Sequence, residues 1–518
     1  MPAIPIITPE QSADWDRRAV AAGTDLRTLM ESAGRAAATV LAARFPERLR
    51  QGVLVAAGTG NNGGDAWVVA RALQRADVPV WVAPLAGEGS PLQREVSAIA
   101  LSEGMRTVAP DGPWPNVGLL VDGILGTGAK GAPRPPAAQL VERLNDLTLP
   151  IVALDGPTGV DLRTGACHGS VVHAALSITF GGVRRGHLLA REEVGDLVVV
   201  DIGLSLPAVD WPLLVTDQLA ADWLPPFRAE NHKGVRGRVV VVGGDAGMTG
   251  AVRLAARAAF AAGAGLVHAV APAATVEALT AAEPDLQTFA DDFGTPLSVG
   301  LQQLLTRADA VVIGPGLGRA AGRVEFVLAV LAQARCGVVD ADGLVVLQGR
   351  LDGLAALGAG RPLVLTPHPG EFRTLFPSLA SGLESDPWTT AAEASASAGA
   401  TILLKGVPSV IARAGRAAHT VAAGNPGLAT GGSGDVLSGF IGTMLAQGLD
   451  PHIAAALGAQ ALGRAADLAA RRVTARGLRP MDVIAALPDL WRSWRTLREC
   501  RPPARPPILL ELDAPERT

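Results

Sequence analysis

Short apolar runs alternate with helical segments along most of the chain, and this alternation restricts the fold more than any other feature. In the first half, runs rich in Val, Leu and Ile lie at 52–57, 79–83, 118–122, 150–154, 176–180 and 197–201. In the second half, a strand begins at 238, and runs at 265–270, 309–313, 337–341, 362–366 and 400–404 alternate with predicted helices at 249–262, 319–334, 387–398, 434–447 and 451–472. Buried strands joined by crossover helices form parallel sheets with helices on their faces. The sequence therefore predicts an α/β fold.

The alternation is interrupted once, around 217–236, where Trp223-Leu224-Pro225-Pro226 precedes a polar stretch. We place a domain boundary there, giving domains at 1–224 and 225–490, and two large α/β domains suit a chain of 518 residues. The proline-rich RPPARPP sequence predicts a C-terminal tail over 491–518. At the other end, Thr8-Pro9-Glu10-Gln11 predicts an N-cap and capping box that open a helix, and a second helix is predicted at 26–43.

Composition excludes several classes of function. The 45 basic residues against 49 acidic ones give a net charge of −4, so no basic excess favours nucleic acid. The apolar stretches are shorter than the roughly 18 residues that a membrane span needs. Cys167, Cys336 and Cys500 share no metal-ligand spacing, and the N-terminal residues do not resemble a signal peptide. We expect a soluble cytoplasmic protein that binds neither nucleic acid nor membrane.

A polar glycine-rich sequence follows the first strand of the first domain. Gly58-Thr59-Gly60-Asn61-Asn62-Gly63-Gly64-Asp65 matches the G-x-G-x-x-G dinucleotide pattern, but no acidic residue ends the second strand, as the plain pattern requires. Amides and a carboxylate at a helix start can bind ribose, phosphate and nicotinamide groups, while glycines let a ligand approach the backbone. The sequence thus predicts a ligand site, with a well-capped turn as the alternative.

Carboxylates end two further strands of the first domain. Asp122 and Asp155 each follow an apolar run and precede a glycine-rich loop. Because ligands gather at the carboxyl ends of strands in open α/β sheets, we expect Asp65, Asp122 and Asp155 to converge. One could ligate a cation and another could act as a base. The alternative for each is a helix N-cap.

The strongest motif lies in the second domain, where Gly424-Asn425-Pro426-Gly427-Leu428-Ala429-Thr430-Gly431-Gly432-Ser433-Gly434-Asp435 precedes an apolar helix. Backbone N–H groups of such a loop form an anion hole for a transferring phosphoryl group. Asp435 is placed to accept a hydroxyl proton as that group transfers. The motif lacks the G-K-[ST] ending of a Walker sequence, and its alternative is an N-capped glycine-rich turn.

Other strand-end loops of the second domain support this interpretation. Lys405 ends a strand and offers a compact charge to a nucleotide phosphate. His368 follows another strand, and we assign it to binding rather than proton transfer. Asp340 and Asp342 either orient magnesium-bound phosphates or cap the next helix, and the sequence leaves both alternatives open.

The first-half motifs LMESAG at 29–34, GTGNNGGD, VDGILGTG and DGPTGVD resemble the NAD(P)H-hydrate epimerase family over nearly all of 1–224. That family interconverts the R and S forms of nicotinamide cofactors hydrated at C6. The resemblance implies a Rossmann-like three-layer α/β/α domain with Asp155 at the reacting centre. It also implies potassium ligation by Asn62, Asp122 and Thr158. The implied hydrate-binding residues are Asn61, Asn62, Gly63, Gly64, Asp65, Gly126, Thr127, Gly128, Ala129, Lys130, Gly131 and Ala132.

This sequence departs from the epimerase pattern at three positions. Ala66 stands where glycine is usual, Gly156 where a larger apolar residue is usual, and Thr158 where serine is common. Threonine keeps the hydroxyl, so the implied cation site retains its ligand. Oxygen ligands of this kind suit a hard monovalent cation.

In the second half, the ordered motifs HKG, GGDAGMTGA, GPGLG, DADGL, TPHPGEF, LLKG and GGSGD resemble the ribokinase-like NAD(P)H-hydrate dehydratase family across about 225–490. The resemblance implies a ribokinase-like α/β/α domain that uses Mg²⁺ with ADP or ATP. The expected route is phosphorylation of the C6 hydroxyl of the S-hydrate, followed by loss of phosphate, with Asp435 as base. The implied nucleotide-binding residues are Lys405, Gly406, Val407, Pro408, Ser409 and Gly434, and the implied hydrate-binding residues are Ala251, Gly316 and His368.

Together the two resemblances imply a bifunctional repair enzyme acting on NADHX and NADPHX with ADP or ATP, and we expect a homo-oligomer. One alternative is a small-alcohol kinase, for a hydroxymethylpyrimidine or a sugar, with an N-terminal regulatory domain. Another is a first domain that serves only as a dimerisation or RNA-binding module. Asp65, Asp122 and Asp155, together with the negative net charge, argue against that module.

Overall fold

The computed structural model describes residues 3–230, 232–358, 361–500 and 507–514. The chain divides into two compact units. Among the described residues, the N-terminal unit contains 3–211 and 507–514, and the C-terminal unit contains 212–230, 232–358 and 361–500.

Strands and helices alternate in both units. The strands are β1 (Ile6–Ile7), β2 (Val53–Ala57), β3 (Val80–Pro84), β4 (Arg106–Thr107), β5 (Leu119–Gly123), β6 (Ile151–Leu154), β7 (Leu176–Phe180), β8 (Val183–Arg184), β9 (Asp196–Val200), β10 (Leu213–Leu214), β11 (Arg238–Val242), β12 (Leu266–Ala271), β13 (Gln287–Ala290), β14 (Ala310–Ile313), β15 (Gly337–Val339), β16 (Leu363–Leu365), β17 (Thr401–Leu404), β18 (Ser409–Ala412), β19 (His419–Val421) and β20 (Ile508–Leu512). The helices are α1 (Pro9–Ala21), α2 (Leu26–Arg44), α3 (Pro46–Arg50), α4 (Asn61–Arg75), α5 (Pro91–Ser102), α6 (Ala137–Asp146), α7 (Arg185–Leu189), α8 (Arg191–Val194), α9 (Asp217–Trp223), α10 (Thr249–Ala261), α11 (Ala273–Ala282), α12 (Val299–Arg307), α13 (Arg323–Gln333), α14 (Asp342–Val346), α15 (Leu351–Gly358), α16 (Pro369–Leu375), α17 (Gly382–Ser385), α18 (Pro387–Ala398), α19 (Ser433–Ala446), α20 (Pro451–Gly477) and α21 (Pro480–Glu499).

The N-terminal unit is a three-layer α/β/α domain. Its main sheet has the strand order β20-β9-β7-β6-β5-β2-β3-β4 and is parallel except for β20. Alternate side chains of a strand point to opposite faces, and both faces are covered. Val53 and Val55 lie in a core cluster with residues of α2, α4 and α5, whereas Leu54 and Ala56 lie in a second cluster with residues of α6. The predicted α/β class is confirmed here.

The C-terminal unit has a ten-stranded sheet with the order β10-β19-β18-β17-β16-β15-β14-β11-β12-β13. Its strands pair in parallel except that β18 runs antiparallel to both neighbours, so 405–408 forms the turn of a hairpin. Val239 and Val241 lie in one core cluster with residues of α10, α19 and α20. Val240 and Val242 point to the other face and are fully buried as well. The α/β class is confirmed for this unit too.

Sheet register brings the predicted site loops together. In the N-terminal unit, Asp122 of β5 lies between Ala56 of β2 and Ala153 of β6, so the loops after these three strands meet. In the C-terminal unit, β15, β16 and β17 are neighbours, which places the residues after them at one edge of the sheet. This is the edge where open α/β sheets bind ligands.

The capping box predicted at the N-terminus is present. The Thr8 hydroxyl accepts a hydrogen bond from the backbone N–H of Gln11, and the Gln11 side chain accepts one from the backbone N–H of Thr8. Thr8 therefore fixes the first turn of α1.

The predicted domain boundaries differ from the observed ones. The units divide between Trp211 and Pro212 rather than at 225, because β10 already pairs with β19 and α9 packs on the C-terminal core. The tail predicted over 491–518 is wrong for the residues that the structure describes. Helix α21 continues to Glu499, and β20 extends the N-terminal sheet. The RPPARPP sequence lies almost wholly outside the described residues.

Two general predictions concern the whole chain. Cys167, Cys336 and Cys500 are free cysteines. Among the described helices, none combines the length and the apolar character needed to cross a membrane.

Close contact between α10 and α19 gives a prediction for stability. A Cβ at Gly439 of α19 would lie 2.2 Å from the carbonyl oxygen of Ala255 in α10. Gly439→Ala should therefore lower the free energy of unfolding by about 1–3 kcal/mol. Gly250→Ala is the control, since a Cβ there meets nothing within 4 Å, and it should be neutral or stabilising. Denaturant unfolding measures both, and equal effects would contradict the packing argument.

Candidate active sites

Close backbone packing forms the first glycine-rich turn. A Cβ at Gly58 would lie 1.9 Å from the carbonyl oxygen of Ile124, and one at Gly63 would lie 1.9 Å from the carbonyl oxygen of Gly58. The end of β2 and the start of α4 therefore contact the loop after β5 directly. Because of this contact, Asn62 in the first turn of α4 is buried.

Oxygen atoms from three loops gather around Asn62, one of the three residues predicted to ligate a cation. Its Nδ2 donates to the carbonyl oxygen of Leu125 at 3.0 Å, while its buried Oδ1 has no hydrogen-bond partner. The Thr158 hydroxyl lies 2.8 Å from Asp122 Oδ1 and accepts from the Leu125 N–H at 3.0 Å. Asp122 is fully buried, which raises its pKa to about 6. The structure thus brings Asn62, Asp122 and Thr158 together.

Asp155 lies at the end of β6 with a left-handed φ of +62° and is 6% exposed. Its Oδ2 accepts hydrogen bonds from the backbone N–H and the hydroxyl of Thr127, and its Oδ1 lies 3.1 Å from Arg184 Nη2. Burial alone would raise the pKa of Asp155, but the charge of Arg184 and the Thr127 hydrogen bonds outweigh burial and lower it. Asp155 is therefore held as a carboxylate.

His187 supports Asp155 from behind and was not predicted. The backbone N–H of Arg184 donates to His187 Nδ1 at 3.0 Å, so the ring proton lies on Nε2, which is 2.6 Å from the carbonyl oxygen of Asp155. Burial lowers the pKa of His187 to about 4, so the ring is neutral. His187 thus fixes the unusual backbone conformation of Asp155.

A cavity of about 690 Å³ opens above these residues. Of the predicted residues, those that line it are Asn61, Asn62, Asp65, Gly126, Thr127, Gly128, Ala129, Lys130 and Asp155. Gly63 and Gly64 are buried behind this wall, whereas Gly131 and Ala132 are not part of the lining. Burial and the charge of Asp155 raise the pKa of Asp65 well above its usual range.

In the C-terminal unit, Gly432 starts α19 with a left-handed φ of +96°, and Asp435 lies in the first turn. A Cβ at Gly432 would lie 2.6 Å from a Leu254 side-chain carbon, so glycine is required there. First-turn N–H groups have no partner within a helix and are available to an anion. Burial and the charge of Asp340 raise the pKa of Asp435 to about 7, although Lys405 opposes them.

Lys405 connects this helix start to two acidic residues. Its Nζ lies 2.9 Å from Asp340 Oδ1 and 3.6 Å from Glu371 Oε2. A Cβ at Gly434 would lie 3.3 Å from Asp340 Oδ2 and 3.4 Å from Lys405 Nζ. A cation and a carboxylate therefore meet at the N-terminus of α19, beside Asp435.

Asp340 and Asp342, for which the sequence left two alternatives open, make different contacts. The Asp340 carboxylate contacts Lys405 and caps no helix, and its Oδ2 is buried without a hydrogen-bond partner. Asp342 instead accepts hydrogen bonds from the Gly318 N–H and Arg319 Nε. The Oδ2 atom of Asp340 is thus available to a ligand, whereas Asp342 links its own loop to the loop that contains Gly318 and Arg319.

The predicted hydrate-binding residues of this unit lie on nearby loops. A Cβ at Gly316 would lie 3.2 Å from Ala251 Cβ, so these two residues are neighbours. His368 is the N-cap of α16, and its Nδ1 accepts from the Gly370 and Glu371 N–H groups. Its Nε2 lies 3.5 Å from Glu371 Oε1, which links His368 through Glu371 to Lys405.

The predicted nucleotide-binding segment is the β17–β18 turn. The Gly406 N–H and the Ser409 hydroxyl lie 3.3 Å apart across this turn. Between them, Val407 exposes 78% of its surface. Lys405 Nζ points into the site from the start of the same turn.

Asp467 of α20 is another residue that sequence reasoning missed. Its two carboxylate oxygens accept from the Gly424 N–H at 3.3 Å and from Asn425 Nδ2 at 3.1 Å. Asp467 thereby anchors the start of the glycine-rich loop. A single carboxylate within the alanine-rich sequence of α20 was the available signal.

Within the described part of the chain, no three His, Cys, Asp or Glu side chains are grouped to share a metal ion. The oxygen cluster at Asn62 differs from such a group, because it combines one carboxylate with amide, hydroxyl and carbonyl oxygens.

Comparisons with known proteins agree with both halves. A family model described as NAD(P)H-hydrate dehydratase matches residues 239–489, and one described as YjeF-related protein N-terminus matches residues 26–186. The bifunctional NAD(P)H-hydrate repair enzyme of Escherichia coli strain K12 is 37% identical over 476 residues, which cover 90% of this chain and 89% of that protein. The chain belongs to the bifunctional NAD(P)H-hydrate repair enzyme family.

Two further proteins are similar to this chain. The bifunctional NAD(P)H-hydrate repair enzyme of Moorella thermoacetica is 36% identical, covering 90% of this chain and 92% of its own. The crystal structure of a Bacillus subtilis ADP/ATP-dependent NAD(P)H-hydrate dehydratase, co-crystallised with ATP/Mg²⁺, is 27% identical, with a TM-score of 0.46, and covers 54% of this chain and 97% of its own. The family membership confirms the resemblance stated for the two halves of the sequence.

Proposed function

We infer that the N-terminal unit epimerises R and S NAD(P)H hydrates and that the C-terminal unit dehydrates the S form with ADP or ATP. The observation that carries this proposal is a pair of separate acid–base sites, one around Asp155 and one around Asp435. In the first site, Asp155 lines a cavity and its pKa is lowered, so it is ionised. In the second site, Asp435 has a raised pKa and lies at a helix N-terminus beside Lys405. NADHX and NADPHX are the proposed substrates.

In the proposed epimerase site, Asp155 is the base at C6. Arg184 keeps it ionised, and Thr127 and His187 fix its direction. The cavity residues Asn61, Asp65 and Lys130 are placed to bind the polar groups of the nucleotide hydrate, and the glycine loop at 126–128 admits its ring close to the backbone.

The residues around Asn62 fit potassium, which is proposed as the cation of this unit. The orphaned Asn62 Oδ1, the Asp122 carboxylate, the Thr158 hydroxyl and the Leu125 carbonyl oxygen would hold it. A bound cation supplies positive charge that compensates the buried carboxylate. The same residues position the loop at 125–127, whose Thr127 holds Asp155.

In the proposed dehydratase site, Asp435 accepts the proton of the C6 hydroxyl as that oxygen takes up the terminal phosphoryl group. The α19 N-terminus and Lys405 stabilise the charge on the transferring group. Phosphate then leaves C6 and a proton leaves C5, so the C5=C6 double bond of the dihydronicotinamide ring is restored. Gly316, Ala251 and His368 would hold the hydrate, and the exposed Val407 offers an apolar surface to the adenine.

Magnesium is proposed to accompany the nucleotide, as in the Bacillus subtilis crystal. Asp340 fits this ion, because its Oδ2 is a buried carboxylate oxygen without a partner close to Gly434. We also propose a cytoplasmic location and a homo-oligomeric state, and analytical ultracentrifugation would test the oligomeric state.

The two activities should separate by single substitutions. Asp155→Ala is expected to slow epimer exchange by about 10²–10⁴ while dehydration of the S form continues, because a general base is lost from only one site. Asp435→Ala should do the reverse. Chromatography of both epimers with ADP, ATP or neither measures each rate. Full exchange in Asp155→Ala, full dehydration in Asp435→Ala, or accumulation of a stable phosphorylated product would contradict the assignments.

Dehydration should depend on pH through Asp435. Because the pKa of Asp435 is raised to about 7 and the base must be ionised, kcat/KM should fall as the pH drops below that value. Asp340→Asn removes a charge that raises this pKa, so its profile should move to lower pH. Asp352→Asn, an exposed carboxylate on α15, is the control and should leave the profile in place. An unchanged or upward-shifted profile in Asp340→Asn would refute this coupling.

Potassium dependence should require the Thr158 hydroxyl. K⁺ is expected to speed epimer exchange and raise the unfolding temperature of the unaltered protein, since a ligand stabilises the state that binds it. Thr158→Val should lose both responses, whereas Thr158→Ser should keep them. A circular dichroism spectrum and a K⁺-free unfolding temperature equal to those of the unaltered protein show that Thr158→Val is folded. A full K⁺ response in Thr158→Val would argue against the site.

A further inference from the structure

Helix α1 forms one wall of the epimerase cavity. Pro9, Ser12, Ala13 and Asp16 line it, and their spacing of i, i+3, i+4 and i+7 is that of one helix face. This helix precedes residues 26–186, which the YjeF-related family model matches. No residue of α1 was among the predicted site residues.

The anchoring of α1 fixes where Asp16 lies. Its neighbour Trp15 is 4% exposed, packs edge-on against Trp211 at 5.5 Å and donates from Nε1 to the Ser205 carbonyl oxygen at 2.8 Å. Strand β1, just before α1, pairs with β8 so that Ile7 lies opposite Arg184. Asp16 is thus held on the cavity wall by a packed and hydrogen-bonded element.

Four carboxylates therefore line a single cavity: Glu10 and Asp16 on α1, Asp65 on α4 and Asp155 after β6, of which Glu10 pairs with Arg163. Arg184 also lines it and is 4% exposed, and its ion pair goes to Asp155, while its buried Nε has no hydrogen-bond partner. The lining cations Arg184 and Lys130 cannot compensate Asp16, Asp65 and Asp155 together, so a proton is retained among these three carboxylates. Burial and the charge of Asp155 raise the pKa of Asp16, against the charges of Arg184 and Arg17.

Inversion at C6 needs a group that helps the hydroxyl to leave and a group that activates the incoming water. Asp155, paired with Arg184, suits the second task because it is ionised. We propose that Asp16 is a second catalytic residue of the epimerase site, the carboxylic acid that protonates the departing hydroxyl from the α1 wall. This inference rests on the proposed role of Asp155.

The proposed inversion at C6 has two stages, loss of water and addition of water. Asp16 gives its proton to the C6 oxygen, the C6–O bond breaks, and water leaves as the lone pair of the ring nitrogen forms an N1=C6 double bond. Water adds to the other face of the planar C6, its proton passes to Asp155, and the electron pair returns to N1. Asp16 ends ionised and Asp155 protonated, so the opposite inversion restores both groups.

The test compares Asp16→Asn with Asp14→Asn in the full-length protein, using mixed hydrate epimers. Asp14 lies on the same helix but pairs with Arg18 at the surface and does not line the cavity. Asp16→Asn should lower kcat for epimer exchange by about 100-fold or more with little change in KM. Asp14→Asn should leave kcat unchanged, and Asp16→Glu should recover part of it. Unchanged far-ultraviolet circular dichroism and an unchanged unfolding temperature in the same samples report correct folding.

The pH profile distinguishes catalysis from a structural effect. The unaltered protein should lose exchange activity at high pH as the acid ionises, and the residual activity of Asp16→Asn should lack this decline. The charged groups that line the cavity with Asp16 or flank it are Glu10, Arg17, Asp65, Lys130, Asp155 and Arg184, so Asp65→Asn is measured in parallel. If Asp16→Asn keeps its rate and its decline, or if Asp65→Asn alone removes the decline, the proposal is overturned. Retained exchange in Asp155→Ala would instead refute the proposed base.

Discussion

Backbone contact between neighbouring strand-end loops underlies both sites. A Cβ at Gly58 would lie 1.9 Å from the Ile124 carbonyl oxygen, and in the other unit Cβ atoms at Gly243 and Gly314 would lie 2.0 Å and 1.8 Å from the carbonyl oxygens of Pro315 and Asp340. Only glycine allows this approach. Parallel register aligns the strand ends, and these contacts then draw the loops close enough for their polar groups to share one ligand. Both units thus build their sites by the same rule.

The two sites use buried charge in opposite ways. In the N-terminal unit, Arg184 and the Thr127 hydrogen bonds lower the pKa of Asp155 despite its burial, so a carboxylate is available at any physiological pH. In the C-terminal unit, burial and Asp340 raise the pKa of Asp435 to about 7, while Lys405 only partly offsets them. A base with a pKa near the working pH can accept a proton and release it again. This suits a group that must be reset after each phosphoryl transfer.

Sequence patterns predicted those structural features that depend on residues close to each other in the chain. The apolar strands, the Thr8 capping box and the Asp435 helix start follow from neighbouring residues, and all are present. Residues whose role depends on tertiary pairing could not be found in this way. In the sequence, Arg184 is one arginine among many. Its ion pair with Asp155 depends on the pairing of β1 with β8 and on where β6 ends, and both are tertiary features. Asp16 looks like any acidic residue of an amphipathic helix until the cavity is seen.

The C-terminus of the second domain shows another reason why a sequence pattern can fail to predict a helix. Val483, Leu487, Leu490 and Trp494 follow helical spacing and are buried, but Pro488 and the proline-rich sequence after Cys500 conceal that pattern.

The chain has only three lysines, and Lys405 lies between Asp340 and Glu371, where Gly434 leaves little room. A point charge fits there, whereas Arg184 uses its planar group to reach the Phe180 and Gly182 carbonyl oxygens as well as Asp155. The available donors and space therefore decide which cation each site can use.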